Sequence, residues 1–180
     1  MRAGPPTPLA IIAGRGALPR RIAEARAAAG LPYLLIVFQG CWNPWMAAHP
    51  HQHHEFERVG RLFRGLRATC VTHGVLAGAM TRPRLDYRRL DLKALTLVAR
   101  AAALMRRGDD AMLRGFAGLF EREGIRMLGA HDILGGEALV APGPLGTRAP
   151  SARDRRDAAL AARIVAAAGA LDVGQGAVVA

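Results

Sequence analysis

Residues 8–38, PLAIIAGRGALPRRIAEARAAAGLPYLLIVF, decide the fold. Pro8–Ala13 is a short, wholly apolar run that ends at Gly14, the pattern of a strand buried on both faces of a parallel sheet. Ala17–Ala29 is Ala-rich and helical in character, and Gly30 and Pro32 are its stop signals. Tyr33–Phe38 (YLLIVF) is a second buried strand. Strand, helix and strand in this order predict a βαβ opening with helices covering the sheet. Between the first strand and the first helix lies Gly14-Arg15-Gly16-Ala17-Leu18-Pro19. Glycines there let the backbone turn tightly and bring amide N–H groups against a phosphate, and the helix N-terminus adds partial positive charge. Pro19 stands where the dinucleotide fingerprint has its third glycine and suits a first helical turn. The same glycines are equally explained by a turn that needs them for backbone reasons alone.

Further along, Cys41–His54 reads as an irregular loop with Pro44, Pro50, both tryptophans and four histidines. A short strand is expected at Glu55–Val59. The next helix, Gly60–Ala68, turns Leu62, Phe63 and Leu66 inward and Arg61, Arg64 and Arg67 outward. Val71–Ala77 is a further core strand ending at Gly78. Helices are expected at Leu92–Arg106 and Asp109–Glu123, then a strand at Ile125–Leu128 and the loop Gly129-Ala130-His131. Gly135–Pro150, rich in Gly and Pro, has the composition of an interdomain linker. Ser151 is a good N-cap for a helix to about Ala168, with Asp154 in its first turn, and Ala177–Ala180 has strand character. The expected class is α/β: a Rossmann-like three-layer domain with a mainly parallel sheet (1–134), a linker (135–150), and a second α/β domain of which 151–180 is the truncated start.

Composition narrows the function. About half of the 180 residues are apolar (51%), enough for a real core. The net charge of +11 invites a nucleic-acid reading. Against it, nearly all the basic residues are Arg, Lys93 being the lone lysine, and they are dispersed with few interleaved aromatics. Nucleic-acid binders concentrate charge and add stacking rings or a reading helix. Scattered Arg suits an anionic small molecule or an anionic membrane face better. Leu31–Phe38 and Val71–Met80 are too short to span a bilayer, which needs about 20 residues. No secretory signal pattern opens the chain, so a cytoplasmic location is expected. Cys41 and Cys70 read as inert thiols more readily than as a redox pair.

Other candidate groups stay open at this level. His49, His51, His53 and His54 match no compact zinc spacing and suit a polar loop. Asp109 and Asp110 fit a helix N-terminus by the dipole rule, or a contact with Mg²⁺ or a ligand. Arg82 and Arg84 flank Pro83 just beyond a strand end, where sheet proteins place ligand contacts. A nicotinamide dehydrogenase also wants a carboxylate after the second strand, and Phe38-Gln39-Gly40 has none.

Seven blocks taken together go further: LAIIAGRGALP (Leu9–Pro19), VGRLFRGLRA (Val59–Ala68), GVLAGAMTRP (Gly74–Pro83), DLKAL (Asp91–Leu95), RRGDDAMLRGF (Arg106–Phe116), GAHDIL (Gly129–Leu134) and APSARDRRDAALAARIVAAAGALDVGQGAVV (Ala149–Val179). Their order and spacing resemble the LpxI-type UDP-2,3-diacylglucosamine pyrophosphatase family from about Pro8 to Ala180. The resemblance implies a two-domain protein that hydrolyses UDP-2,3-diacylglucosamine to 2,3-diacylglucosamine 1-phosphate (lipid X) and UMP in lipid A biosynthesis, with Mg²⁺. By position it assigns substrate binding to Gly14, Gly16, Ala17, Leu18, Pro19, Ala77, Gly78, Arg82, Asp109, Asp110 and His131. Asp172, Gly174 and Gln175 match the start of the family's second domain. The family's catalytic Asp and its EGTD-type surroundings are expected downstream of Ala180, so the 180-residue chain alone is expected to be inactive. Peripheral contact with the inner membrane and a homo-oligomer fit the resemblance. The competing reading is a non-catalytic nucleotide-binding or regulatory Rossmann-like module.

Overall fold

The computed structural model describes residues 4–80, 86–96, 109–135, 146–171, 174 and 176–179. Its strands are β1 (Leu9–Ala13), β2 (Tyr33–Phe38), β3 (His51–His54), β4 (His73–Ala77) and β5 (Arg126–Leu128). The helices are α1 (Leu18–Ala28), α2 (Val59–Ala68), α3 (Asp109–Arg122), α4 (Ala130–Leu134) and α5 (Ala152–Ala170). Three 3-10 turns occupy Pro44–Ala48, Phe56–Arg58 and Tyr87–Arg89, and residues 92–96 are helical. Two compact units result, Met1–Leu139 and Val140–Ala180.

The strands form one sheet in the order β3-β2-β1-β4-β5, with every neighbouring pair parallel. β1 lies in the middle and all five of its residues are buried. Alternation divides its side chains between two clusters. Leu9, Ile11 and Ala13 pack with Ile22 and Ala23 of α1 and Ile133 of α4. Ala10 and Ile12 pack on the other face with Leu62, Phe63 and Leu66 of α2 and Leu119 and Phe120 of α3. Helices on both faces of a parallel sheet give the expected three-layer α/β architecture. They also explain why PLAIIA carries no polar residue. Full burial of each Leu or Phe on α2 stabilises by about 1.5–3 kcal/mol.

An arginine closes one end of the first unit. Arg26 on α1 is fully buried, and its guanidinium donates to the carbonyls of Pro5 (2.7 Å), Thr7 (2.8 Å) and Pro32 (2.6 Å). These bonds tie the chain before β1, and the turn before β2, to the first helix.

Two sequence expectations are corrected between β2 and α2. The stretch read as an irregular loop contains β3, which pairs with β2 from Leu35↔His51 to Phe38↔His54. The strand expected at Glu55–Val59 is instead a 3-10 turn followed by the start of α2. Among the described residues β3 is an edge strand paired with β2 alone, so it needs no apolar alternation, and HQHH gives no periodic signal. Its ladder to β2 fixes it, and Trp42 packs on the rings of His51 and His53 at 5.1 and 4.9 Å. Cys41 and Cys70 are both free thiols, the first buried and the second exposed.

In the second unit Ser151 caps α5 as expected. Its hydroxyl accepts from the Asp154 amide at 3.2 Å, and the Asp154 carboxylate accepts from the Ser151 amide at 2.7 Å, a reciprocal capping box. Of the strand expected at Ala177–Ala180, the described residues 177–179 adopt no regular structure. A strand is held by ladder bonds to a neighbour, and apolar character alone does not supply one. Of the linker, 136–145 lie outside the described residues, as do Arg82, Pro83, Arg84, Asp172, Gln175 and the expected helix beyond residue 96.

Candidate functional site

The chain reverses its direction of travel across the sheet at β1. It runs outward through β2 and β3, and α2 then returns it to β4 on the other side of β1. Ligands of open parallel sheets bind beyond the carboxyl ends of the strands, at this switch point. Because all strands are parallel, the segments following β1, β4 and β5 leave the same edge of the sheet. Gly14–Pro19, Gly78 and His131 are therefore brought to that edge, together with Ala77 at the end of β4. α3 leads back to the start of β5, so its first residues, Asp109 and Asp110, belong to the end of the helix that faces the same edge; their side chains lie outside the described residues.

The β1 and β4 turns are fastened to each other. Gly14 N donates to Ala77 O (2.7 Å), Arg15 N to Ala79 O (2.8 Å) and Ala79 N to Arg15 O (3.0 Å), forming an antiparallel bridge between two otherwise parallel strands. The approach is close enough to exclude side chains. A Cβ on Gly14 would lie 2.6 Å from Ala79 O, and one on Gly78 would lie 2.3 Å from Arg15 O. Gly78 also has φ +85°. Gly16 differs: its φ is +101°, and a Cβ there would meet nothing within 4 Å. The amides of Gly14 and Arg15 are committed to backbone carbonyls, so a phosphate at this turn is left to amides from Gly16 onward. Pro19, in the first turn of α1, supplies no N–H.

Sequence reasoning gave Arg15 no role, but its guanidinium points along the edge and donates to Gly40 O at 3.4 Å, beyond the end of β2. At the other side, Gly129 leaves room for the His131 ring, since a Cβ there would sit 2.4 Å from Cε1 of His131. Asp132 accepts from Gly129 N at 2.8 Å and lies 3.5 Å from His131 Nε2.

A second feature of the same edge was not legible in the sequence. Beyond β2 and β3 an open pocket of about 570 Å³ is lined by Gln39, His53, His54, Glu55, Arg58, Arg61 and Arg89. Glu55 gathers two of the arginines: Arg89 Nη2 reaches both its oxygens (2.9 and 3.0 Å), and Arg58 Nε lies at 3.3 Å. Arg89 comes from a distant part of the chain and is held there by carboxylates. Glu57, nearly buried, accepts from Asp86 N at 3.0 Å. Asp91 accepts from Gly60 N and from Ala94 N, both at 2.7 Å, so one carboxylate serves the beginnings of two helices. Burial, then the positive charge of Arg61 and the proximity of His53, hold the His54 imidazole below its ordinary pKa, favouring its neutral form.

Among the described residues no group of three or more His, Cys, Asp or Glu side chains is arranged to hold a metal ion, and Asp132 is engaged with its own backbone. By themselves these described residues do not make a Mg²⁺ site. Among the described residues no helix is long and apolar enough to cross a membrane.

The family model described as the LpxI N-terminal domain matches residues 8–136. The chain belongs to the LpxI family. It is 33% identical over 171 residues to UDP-2,3-diacylglucosamine pyrophosphatase LpxI of Caulobacter vibrioides, covering 95% of this chain and 61% of that protein. The chain thus spans less than two thirds of that LpxI relative's length. Among solved structures, the TT0495 protein from Thermus thermophilus aligns with a TM-score of 0.31 and 23% identity, over 72% of this chain and 75% of that one.

Proposed function

We propose that this LpxI-family chain takes part in the hydrolysis of UDP-2,3-diacylglucosamine to 2,3-diacylglucosamine 1-phosphate and UMP in lipid A biosynthesis. In this reading the sheet unit binds the substrate's nucleotide diphosphate at the carboxyl edge. The observation that carries it is the convergence of the family-matched turns Gly14–Pro19, Ala77-Gly78 and His131 on one edge of the sheet. The bridge between Arg15 and Ala79 fixes the two central turns before any ligand arrives, which lowers the ordering cost of binding. Amides from Gly16 onward and the N-terminus of α1 would orient the diphosphate, and Arg15 would neutralise part of its charge. Arg82, Asp109 and Asp110 belong to the same proposed site. Hydrolysis also needs charge stabilisation on the phosphates and a positioned water. The carboxylate for that step is proposed to come from sequence beyond Ala180, and Mg²⁺ is proposed as the cation. The protein is proposed to work in the cytoplasm, peripherally at the inner membrane where its lipid substrate resides.

Two measurements test this. Calorimetry with UDP should show saturable binding to the chain. Incubation with UDP-2,3-diacylglucosamine and Mg²⁺ should release no UMP above a no-protein control, with or without EDTA. Failure to bind UDP or the lipid nucleotide would remove the substrate assignment. UMP release that disappears in Asp109→Asn or Asp110→Asn would place the chemistry within this chain and overturn the proposed source of the carboxylate.

A further inference from the structure

The pocket beyond β2 and β3 stands apart from the glycine turns in the sheet order, and neither the family-matched blocks nor the proposed reaction gives it a ligand. Three guanidiniums, Arg58, Arg61 and Arg89, meet there around one carboxylate, Glu55, so the pocket carries more positive than negative charge. Glu55 engages Arg58 and Arg89, whereas Arg61 makes no ion pair among the described residues and is exposed. The arrangement is built. The carboxylates of Glu57 and Asp91 bind backbone amides of Asp86 and Gly60, which ties the segment around Arg89 to the start of α2 and places Arg89 beside Glu55. Three positive charges share a single neighbouring carboxylate, so an anion entering the pocket meets a net positive rim.

We propose that this pocket binds a phosphate-type dianion, with Arg61 as its principal contact and Arg58 and Arg89 held in place by Glu55 for the same group. Planar guanidinium forks match the oxygen geometry of a phosphate, and several converging forks outcompete the single internal carboxylate for a doubly charged ligand. A soluble phosphate or diphosphate and the phosphate of a lipid headgroup share this chemistry. The inference goes beyond the proposed hydrolysis and does not rest on it, because binding is read without turnover.

The test is a titration of the isotopically labelled full chain with inorganic pyrophosphate, followed by amide NMR, with a parallel arm of phosphatidylglycerol or phosphatidylcholine vesicles. Expected is a saturable response centred on the amides of His53, His54, Arg61 and Arg89. Arg61→Gln should weaken it about tenfold, the loss of one charge-assisted contact. Arg64→Gln removes the same charge from an exposed position of α2 outside the pocket and should change affinity less than about twofold. A lipid source predicts Arg61-dependent sedimentation with phosphatidylglycerol vesicles, reversed by pyrophosphate. A soluble source predicts pyrophosphate binding without sedimentation. Equal effects of the two substitutions, shifts confined to Gly16–Leu18, or no saturable response in either arm would overturn the proposal. UDP binding at the glycine turn would be untouched by that outcome, so the two readings fail separately.

Discussion

Replacing Gly78 with alanine tests whether the bridge at the switch point is a contact or only a conformation. The added Cβ would lie 2.3 Å from Arg15 O and 3.0 Å from Gly14 C, both backbone atoms that no rotamer change can clear. Relief requires the Arg15 carbonyl to retreat by roughly 1 Å, toward an ordinary contact distance. That movement breaks the bond from Ala79 N (3.0 Å) and its twin from Arg15 N to Ala79 O (2.8 Å). Two backbone bonds contribute about 1 kcal/mol each. A positive φ adds about 1–2 kcal/mol for a residue with a Cβ. The expected destabilisation is therefore about 3–4 kcal/mol, a large part of a small domain's stability. Gly16→Ala is the matched control, since φ is +101° but the Cβ meets nothing, leaving about 1–2 kcal/mol of strain alone. Urea unfolding followed by tryptophan fluorescence reads the right unit, because Trp42 and Trp45 both sit in the β2–β3 connection. A Gly78→Ala loss no greater than that of Gly16→Ala would refute the close-approach argument and leave only backbone conformation. The same pair sharpens the ligand question, since Gly16→Ala strains the chain even without a phosphate.

Two further outcomes follow from buried polar groups. Arg26→Met should destabilise the sheet unit by about 3 kcal/mol, because it removes the charge-assisted hydrogen bonds to the carbonyls of Pro5, Thr7 and Pro32; a urea midpoint equal to that of the parent would contradict this. His54, with its pKa lowered in the folded state, should contribute stability that is intact above its unfolded value of about 6.5 and lost as pH falls from there toward the lowered value. Arg61→Gln should move the His54 pKa up only part of the way, since burial is the larger cause. An NMR titration placing His54 at or above the ordinary histidine value in the parent chain would show that its surroundings are not those described.

The strongly apolar segments were legible because burial on both faces writes itself into the sequence. PLAIIA and YLLIVF name the central strands without a structure, and GRLFRGLRA shows the inward face of α2 through its helical period. Ser151 with Asp154 declared its helix start by a local hydrogen-bond pattern that needs no tertiary partner. The order of blocks also carried the family, and parallel pairing then placed its turns on one edge. What the sequence could not carry was anything settled by contact between distant segments. HQHH became β3 because β2 offered a free edge, which no property of those four residues announces. The expected terminal strand has the right composition, but 176–179 have no neighbour to pair with among the described residues. The glycines look alike on paper, yet Gly14 and Gly78 are required by a backbone-to-backbone approach and Gly16 by its torsion angle. Nothing in the sequence announces that Arg58, Arg61 and Arg89 line one pocket, since the bonds of Glu57 and Asp91 to distant amides bring Arg89 to Glu55. Periodicity records which faces are dry, but charge convergence depends on where the chain returns, and only the tertiary structure decides that.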